Sequence, residues 1–117
     1  IDGQNHIIKN LTIAPEIISD GQPVALIHTA KNAVIKNLRI ENLIFQIEEN
    51  GYEPKISSLF GLFEKGIIDN VQVDLTGINE DVPLIGESDQ SRYRKVIYSN
   101  HYKNTLCGYT NNDNVED

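Results

Sequence analysis

The chain has 117 residues, a formal charge of −7 and a sequence pI near 4.8, with 39% apolar residues, 7% aromatic residues and neither Trp nor Met. Such an acidic balance repels phosphate backbones and anionic lipid, which argues against nucleic acid and membrane surfaces as partners. The apolar supply is mostly Ile, Leu and Val, lean for a globular core but sufficient for a stack of short strands.

The first element is Ile8-Lys9-Asn10-Leu11-Thr12-Ile13. It recurs as Ile35-Lys36-Asn37-Leu38-Arg39-Ile40 and as Ile68-Asp69-Asn70-Val71-Gln72-Val73, with the asparagines 27 and 33 residues apart. The second and third copies extend backward without a gap, Leu26-Ile27 aligning with Leu59-Phe60 and Val34 with Ile67. Side-chain parity shows what this repeat builds. A straight strand from Ile35 to Ile40 would place Ile35 on one face and Leu38 and Ile40 on the other. A bend at Asn37 removes the conflict, because Ile35, Leu38 and Ile40 then all point inward. Asparagine is the non-glycine residue best suited to the left-handed conformation such a corner needs. Asn10, Asn37 and Asn70 are therefore expected at equivalent corners, stacked so that their amides bond one another.

After the second copy, Leu43, Phe45 and Ile47 continue an alternating strand, and Asn50-Gly51 with Pro54 marks a protruding loop. This loop carries Glu48, Glu49, Tyr52 and Glu53, residue types suited to binding on a protrusion. A second loop runs from Gly77 to Pro83. A fourth, degraded copy follows: Leu84-Ile85-Gly86 matches Leu59-Phe60-Gly61, while Tyr93, Val96 and Tyr98 take the places of Ile35, Leu38 and Ile40. Lys95 stands in the corner position there. The residues from 108 to 117 are polar, Asn-rich and acidic, and read as a tail or linker after a repeat domain of residues 1–107.

A unit of this length cannot bury its own apolar face, whereas stacked units with parallel strands about 4.8 Å apart can. The expected fold is all-β, a right-handed parallel β-helix (solenoid) of about three to four coils with Asn-containing corners. The runs "IDGQNHIIKNLTI", "IKNLRIENL" and "LFGLFEKGIIDNVQV" resemble the GLUG-type repeats of bacterial surface and secreted proteins. Such repeats occur in adhesin-like proteins and in the non-catalytic part of the M26 family of IgA-specific metallopeptidases. The likeness covers residues 1 to about 86, and Glu64 stands where the repeat usually has its second glycine. The resemblance implies a module of a large extracellular protein, secreted or at the cell surface, flanked by further β-helix coils of the same chain. The opening Ile1-Asp2-Gly3 has no basic region of a signal peptide, and the missing initial Met reads as an excised piece.

Chemistry is sparse. No HExxH motif is present, so the chain is not itself the metallopeptidase, and no catalytic residue, metal ligand or cofactor site is assigned. The lone Cys107 excludes an internal disulfide or a Cys-based zinc site and reads as an inert thiol. Asp69 falls in the outward row with Lys9 and Lys36, which mixes charge, and Glu41 and Asp74, equivalent by register, are expected as a carboxylate pair about 5 Å apart, read as a solvated face with a cation or catalytic pair as the alternative. His28 aligns with Gly61 and Gly86 and is expected at a turn. Asn10-Leu11-Thr12 is formally a glycosylation sequon, but a corner asparagine would be hard to modify. The candidate binding surface comprises Tyr52, Glu53, Tyr93, Arg94, Tyr98, His101 and Tyr102, facing a host protein or glycan. Parity favours the other reading, in which Tyr93, Val96 and Tyr98 face the core and the basic residues form its solvated side. The expected role is a non-enzymatic stalk, adhesin-like or support module. A fragment of a carbohydrate-active β-helix enzyme is the alternative, and insertion into a membrane is not expected because no apolar run approaches about 18 residues.

Overall fold

The computed structural model describes residues 1–15, 19–47, 51, 53–77, 80–100 and 104–116. The described residues form twelve strands and no helix. They are β1 Asp2–Lys9, β2 Thr12–Ile13, β3 Pro23–Val24, β4 Ile27–Lys31, β5 Val34–Phe45 and β6 Lys55–Ile56, followed by β7 Phe60–Glu64, β8 Ile67–Thr76, β9 Ile85–Asp89, β10 Arg92–Asn100, β11 Cys107–Asn111 and β12 Asn114–Glu116. All strand pairs are parallel. The largest sheet has the order β1-β5-β8-β10-β12, with β2 also on β5; a second runs β11-β9-β7-β4, and a third joins β3 to β6. The chain thus visits the second sheet and then the first, over and over: β4 leads to β5, β7 to β8, β9 to β10 and β11 to β12. Each strand lies beside its counterpart from the previous pass.

The reason these segments are strands is the alternation of β-branched residues, and the reason they bend is asparagine. Asn37 and Asn70 have φ of 54° and 56°. Lys36 pairs with Asp69 and Leu38 with Val71, so the asparagines fall between rungs, where the strand turns. Ile35 and Ile40 on either side of that turn are both buried, and so are Ile68, Val71 and Val73 one pass later. The Asn70 side-chain N–H donates to Asn37 Oδ1 at 2.9 Å, and that of Asn37 reaches Asp2 Oδ1 at 3.4 Å. In the next pass Lys95 takes the same conformation with φ 51°.

Asn10 belongs to a different corner. Ile8 lies beside Ile40 and Lys9 beside Glu41, so Asn10 faces Asn42, whose amide donates to Asn10 Oδ1 at 2.7 Å. The 27-residue spacing therefore compares unlike positions. The cause is a second repeat inside β5, where Ile35-Lys36-Asn37-Leu38 is followed five residues later by Ile40-Glu41-Asn42-Leu43. The β1 segment matches both, and only strand pairing decides between them. This second corner ends at β8, which has one residue fewer between Val73 and Leu75 than β5 has between Ile40 and Leu43. Thr76 Oγ1 donates to Asn42 Oδ1 at that point.

A third row of corners joins the second sheet to the first. Asn32, Lys65, Gln90 and Asn112 all have φ between 51° and 55°. The N–H groups of Asn32, Lys65 and Gln90 donate to the carbonyls of Glu64, Asp89 and Asn111 at 2.9, 2.8 and 2.8 Å. Inside, Phe60, Phe63 and Tyr93 form a ring cluster with centroids 4.7 and 6.2 Å apart.

The stretch expected as a tail, 108–117, instead continues the sheets through residue 116. β11 pairs with β9 and β12 with β10.

Candidate functional site

Burial, not binding, accounts for the two central tyrosines. Tyr93 and Tyr98 are 1% and 7% exposed, which removes them from the candidate binding surface. The Tyr98 hydroxyl donates to the carbonyl of Val82 at 2.7 Å, and burial pushes its pKa up to about 12. The Tyr93 hydroxyl bonds Ser88 Oγ, and burial raises it further. Asp113 Oδ1 accepts from the same Ser88 Oγ and from the Ser91 N–H, both at 2.8 Å. Cys107 sits in this cluster with its thiol pushed up to about 11 by burial, so it stays protonated and is a poor nucleophile.

Of the other predicted binding residues, Glu53 is exposed and its N–H is held by Asp20 Oδ1 at 2.8 Å. Arg94 reaches out to Asp69 at 3.9 Å. Tyr52, His101 and Tyr102 lie outside the described residues, as do Glu48 and Glu49. Among the described residues of the predicted set, Glu53 and Arg94 are exposed while Tyr93 and Tyr98 are buried. Glu41, considered as half of a carboxylate pair with Asp74, already has Arg39 at 3.0 Å and Lys9 at 3.8 Å, the arrangement of a solvated ionic face. Among the described residues no group of three His, Cys, Asp or Glu side chains converges as a metal site.

A concave site exists elsewhere. His28 lies within β4, not at a turn, and is exposed with Nδ1 2.7 Å from Thr29 Oγ1. In the neighbouring strands Gly61, Gly86 and Gly108 occupy its position, flanked by the pairs Ile27 with Phe60 and Thr29 with Leu62 and their successors. A side chain cannot be added there. A Cβ on Gly61 would stand 2.7 Å from the His28 carbonyl oxygen, one on Gly86 2.7 Å from that of Gly61, and one on Gly108 2.8 Å from that of Gly86. The result is a strip of bare backbone across three passes. It forms the floor of a groove of about 460 Å³ whose sides include Pro23, Lys55, Thr29, Glu87 and Tyr109. Tyr109 is 64% exposed. The glycine of the Gly61-Leu62-Phe63 motif is thus explained by the closeness of the next strand, and the groove is its by-product.

No family model, curated protein or solved structure matches this chain. The functional reading consequently rests on geometry.

Proposed function

We propose that the chain is a stretch of right-handed parallel β-helix that serves as a rigid, non-enzymatic stalk, adhesin-like or support module of a larger secreted or cell-surface bacterial protein. The observation that carries this reading is the first sheet, in which five strands from successive passes pair in parallel, each beside its counterpart. Stacking of this kind makes each pass depend on its neighbours and gives a stiff, extendable rod. The chemistry-bearing residues fit the same role. The asparagines hold corners, the glycines admit close strands, and among the described residues outward charges pair across rungs at 3.5 to 4.0 Å in four of five ion pairs.

Solution scattering together with a reducing-sugar release assay on polysaccharides tests it. The rod reading expects a particle with principal extents near 38 × 29 × 23 Å and no sugar released. Release of sugar by this chain alone would sink the non-enzymatic reading.

The groove favours a second reading, a fragment of a carbohydrate-active β-helix protein. Its exposed Tyr109 offers a stacking face, and Lys55, Thr29 and Glu87 supply donors and acceptors beside it. A glycan array probed with the wild type and with Tyr109→Ala addresses this. Binding lost in the variant supports a sugar site in the groove, and binding unaffected by the variant places it elsewhere.

A further inference from the structure

Three rows of residues run side by side across the strands of the second sheet, each advancing by one residue per pass. The floor row is His28, Gly61, Gly86 and Gly108, fixed by the register of β4, β7, β9 and β11. One wall is the next row of the same strands, Thr29, Leu62, Glu87 and Tyr109. The other wall is Pro23, Ser57 and Pro83. Pro23 Cβ lies 3.5 Å from the place of a Cβ on Gly61, Ser57 Oγ 3.3 Å from that of Gly86, and Pro83 Cγ 3.5 Å from that of Gly108. His28 carries the first side chain on the floor, and the three passes after it are bare backbone. The glycines themselves answer to strand packing. What points to a ligand is a bare floor set between two walls that keep the same period.

That period selects the occupant. Neighbouring parallel strands lie about 4.8 Å apart, whereas an extended peptide rises about 3.3 Å per residue and falls out of step after one pass. A residue of an extended β-1,4-linked pyranose chain advances by nearly one strand spacing, so successive rings meet successive glycines. The chemistry agrees with the length. Peptide N–H and C=O groups of the floor lie in the sheet plane and serve the neighbouring strands, which leaves a flat surface of Cα–H groups. An all-equatorial pyranose presents C–H bonds on its faces and hydroxyls around its rim. Laid flat on the floor, it turns those hydroxyls toward Ser57, Lys55, Thr29 and Glu87, while Leu62 and the Tyr109 ring supply apolar contact. Lys55 and Glu87 are both exposed and opposite in sign, so a chain charged throughout in either sense meets a like charge at one of them. We propose that the groove binds a neutral, extended β-1,4-linked glycan lying across the strands, one ring over each of Gly61, Gly86 and Gly108. This inference rests on the sugar-binding reading of the groove given above, and it adds the linkage, charge and register of the sugar.

An NMR titration of the isotope-labelled chain reads the amide signals of Gly61, Gly86 and Gly108 directly. The probes are glucose, cellotriose and maltotriose, the β-1,4-linked trimers of glucuronic acid and of glucosamine, and tetra-alanine as an extended peptide. Cellotriose should shift all three glycine signals and bind at least about tenfold more tightly than glucose, because its linked rings share one loss of translational freedom. Maltotriose, whose α-linkage curves the chain away from the row of glycines, should bind at least about fivefold more weakly than cellotriose. Tyr109→Ala removes an exposed ring and should weaken cellotriose at least about threefold.

Two kinds of failure are told apart. Cellotriose that binds no better than glucose or maltotriose, yet loses affinity on Tyr109→Ala, keeps a sugar site in the groove and overturns the register of one ring per pass. Either charged trimer, or tetra-alanine, bound as tightly as cellotriose overturns the assigned ligand class. No shift of the three glycine signals with any sugar overturns this proposal together with the sugar-binding reading beneath it.

Discussion

The inner and outer rungs of the first sheet hold equivalent residues in very different surroundings. Ile35, Ile68 and Tyr93 are 2%, 0% and 1% exposed, while Val115, at the same position one pass on, is 57% exposed. The backbone conformation is shared and the side chain is apolar in every case. What differs is whether a strand lies on both sides. In a stack of this kind, burial is a property of neighbours, and a side chain contributes to stability in proportion to the passes that cover it.

The sharpest way to break that comparison is truncation at both places. Ile68→Ala removes a fully enclosed side chain and should destabilise the protein by about 2–5 kcal/mol in a denaturant titration. Val115→Ala, partly in water already, should change stability by no more than about 0.5 kcal/mol. Equal effects would mean that the outer rungs are as well packed as the inner ones.

The glycine strip comes next. Gly86→Ala forces a methyl to within 2.7 Å of the Gly61 carbonyl oxygen, where rigid backbone cannot yield cheaply. A loss of about 1–3 kcal/mol is expected, as for overpacked interiors. The substitution also tests whether the groove floor is architectural, since unchanged stability would leave the glycine available for a ligand role.

Corners should be nearly as sensitive. Asn37→Val places a β-branched residue at φ 54° and removes the acceptor of the Asn70 amide, for a combined loss of about 1–3 kcal/mol. An unchanged unfolding midpoint would discard the ladder as a stabilising device.

Those corners also mark how far the sequence could be read. Asn37, Asn70 and the degraded copy at Lys95 were legible because parity fails there unless the chain bends, and asparagine names the bend. The row Asn32, Lys65, Gln90 and Asn112 was not legible, because Lys and Gln carry no signature of a left-handed residue and the strands on either side lie in different sheets. The register of Asn10 was hidden by the five-residue echo inside β5. The pass over β11 and β12 read as a tail because its residues are mostly polar, and only their pairing with β9 and β10 shows them as strands. The groove escaped entirely, since the need for glycine at 61, 86 and 108 comes from carbonyls on other passes. Its only trace in the sequence was the alignment of His28 with Gly61 and Gly86. Tyr93 and Tyr98 were seen as either core or binding surface, and it is their cross-strand partners Ile68 and Val73 that place them inside.

The inner tyrosine gives a pH-dependent version of the same contrast. Burial holds the Tyr98 hydroxyl near 12, above its ordinary value of 10.0, because the phenolate is poorly solvated there. The sign follows from the proton balance. The contribution of the protonated hydroxyl is fully present below pH 10, and is lost as pH rises through 12, since the unfolded chain releases its proton first. Cys107 adds a similar loss between 9.0 and about 11. Tyr98→Phe should lower stability at neutral pH by about 1 kcal/mol through the lost bond to Val82. It should also flatten the alkaline decline, as read from unfolding midpoints between pH 9 and 12. An equally steep decline in the variant would assign the alkaline loss to other groups.

The smallest effect expected is a gain. Lys95 holds the left-handed corner of the fourth pass with φ 51°, a conformation asparagine adopts with less strain. It is exposed, and its counterpart Asn70 lies beside it in the preceding strand. Lys95→Asn should therefore stabilise the protein by about 0.5 kcal/mol, by easing the backbone and by extending the Asn37–Asn70 amide row one rung outward. Pairing the substitution with Asn70→Ala in a double-mutant cycle separates the two contributions. Relief of backbone strain survives loss of the Asn70 amide, whereas an amide row does not. A gain that vanishes with Asn70→Ala would show that the corner residues stabilise one another across passes, which is the same dependence on neighbours that divides Ile68 from Val115.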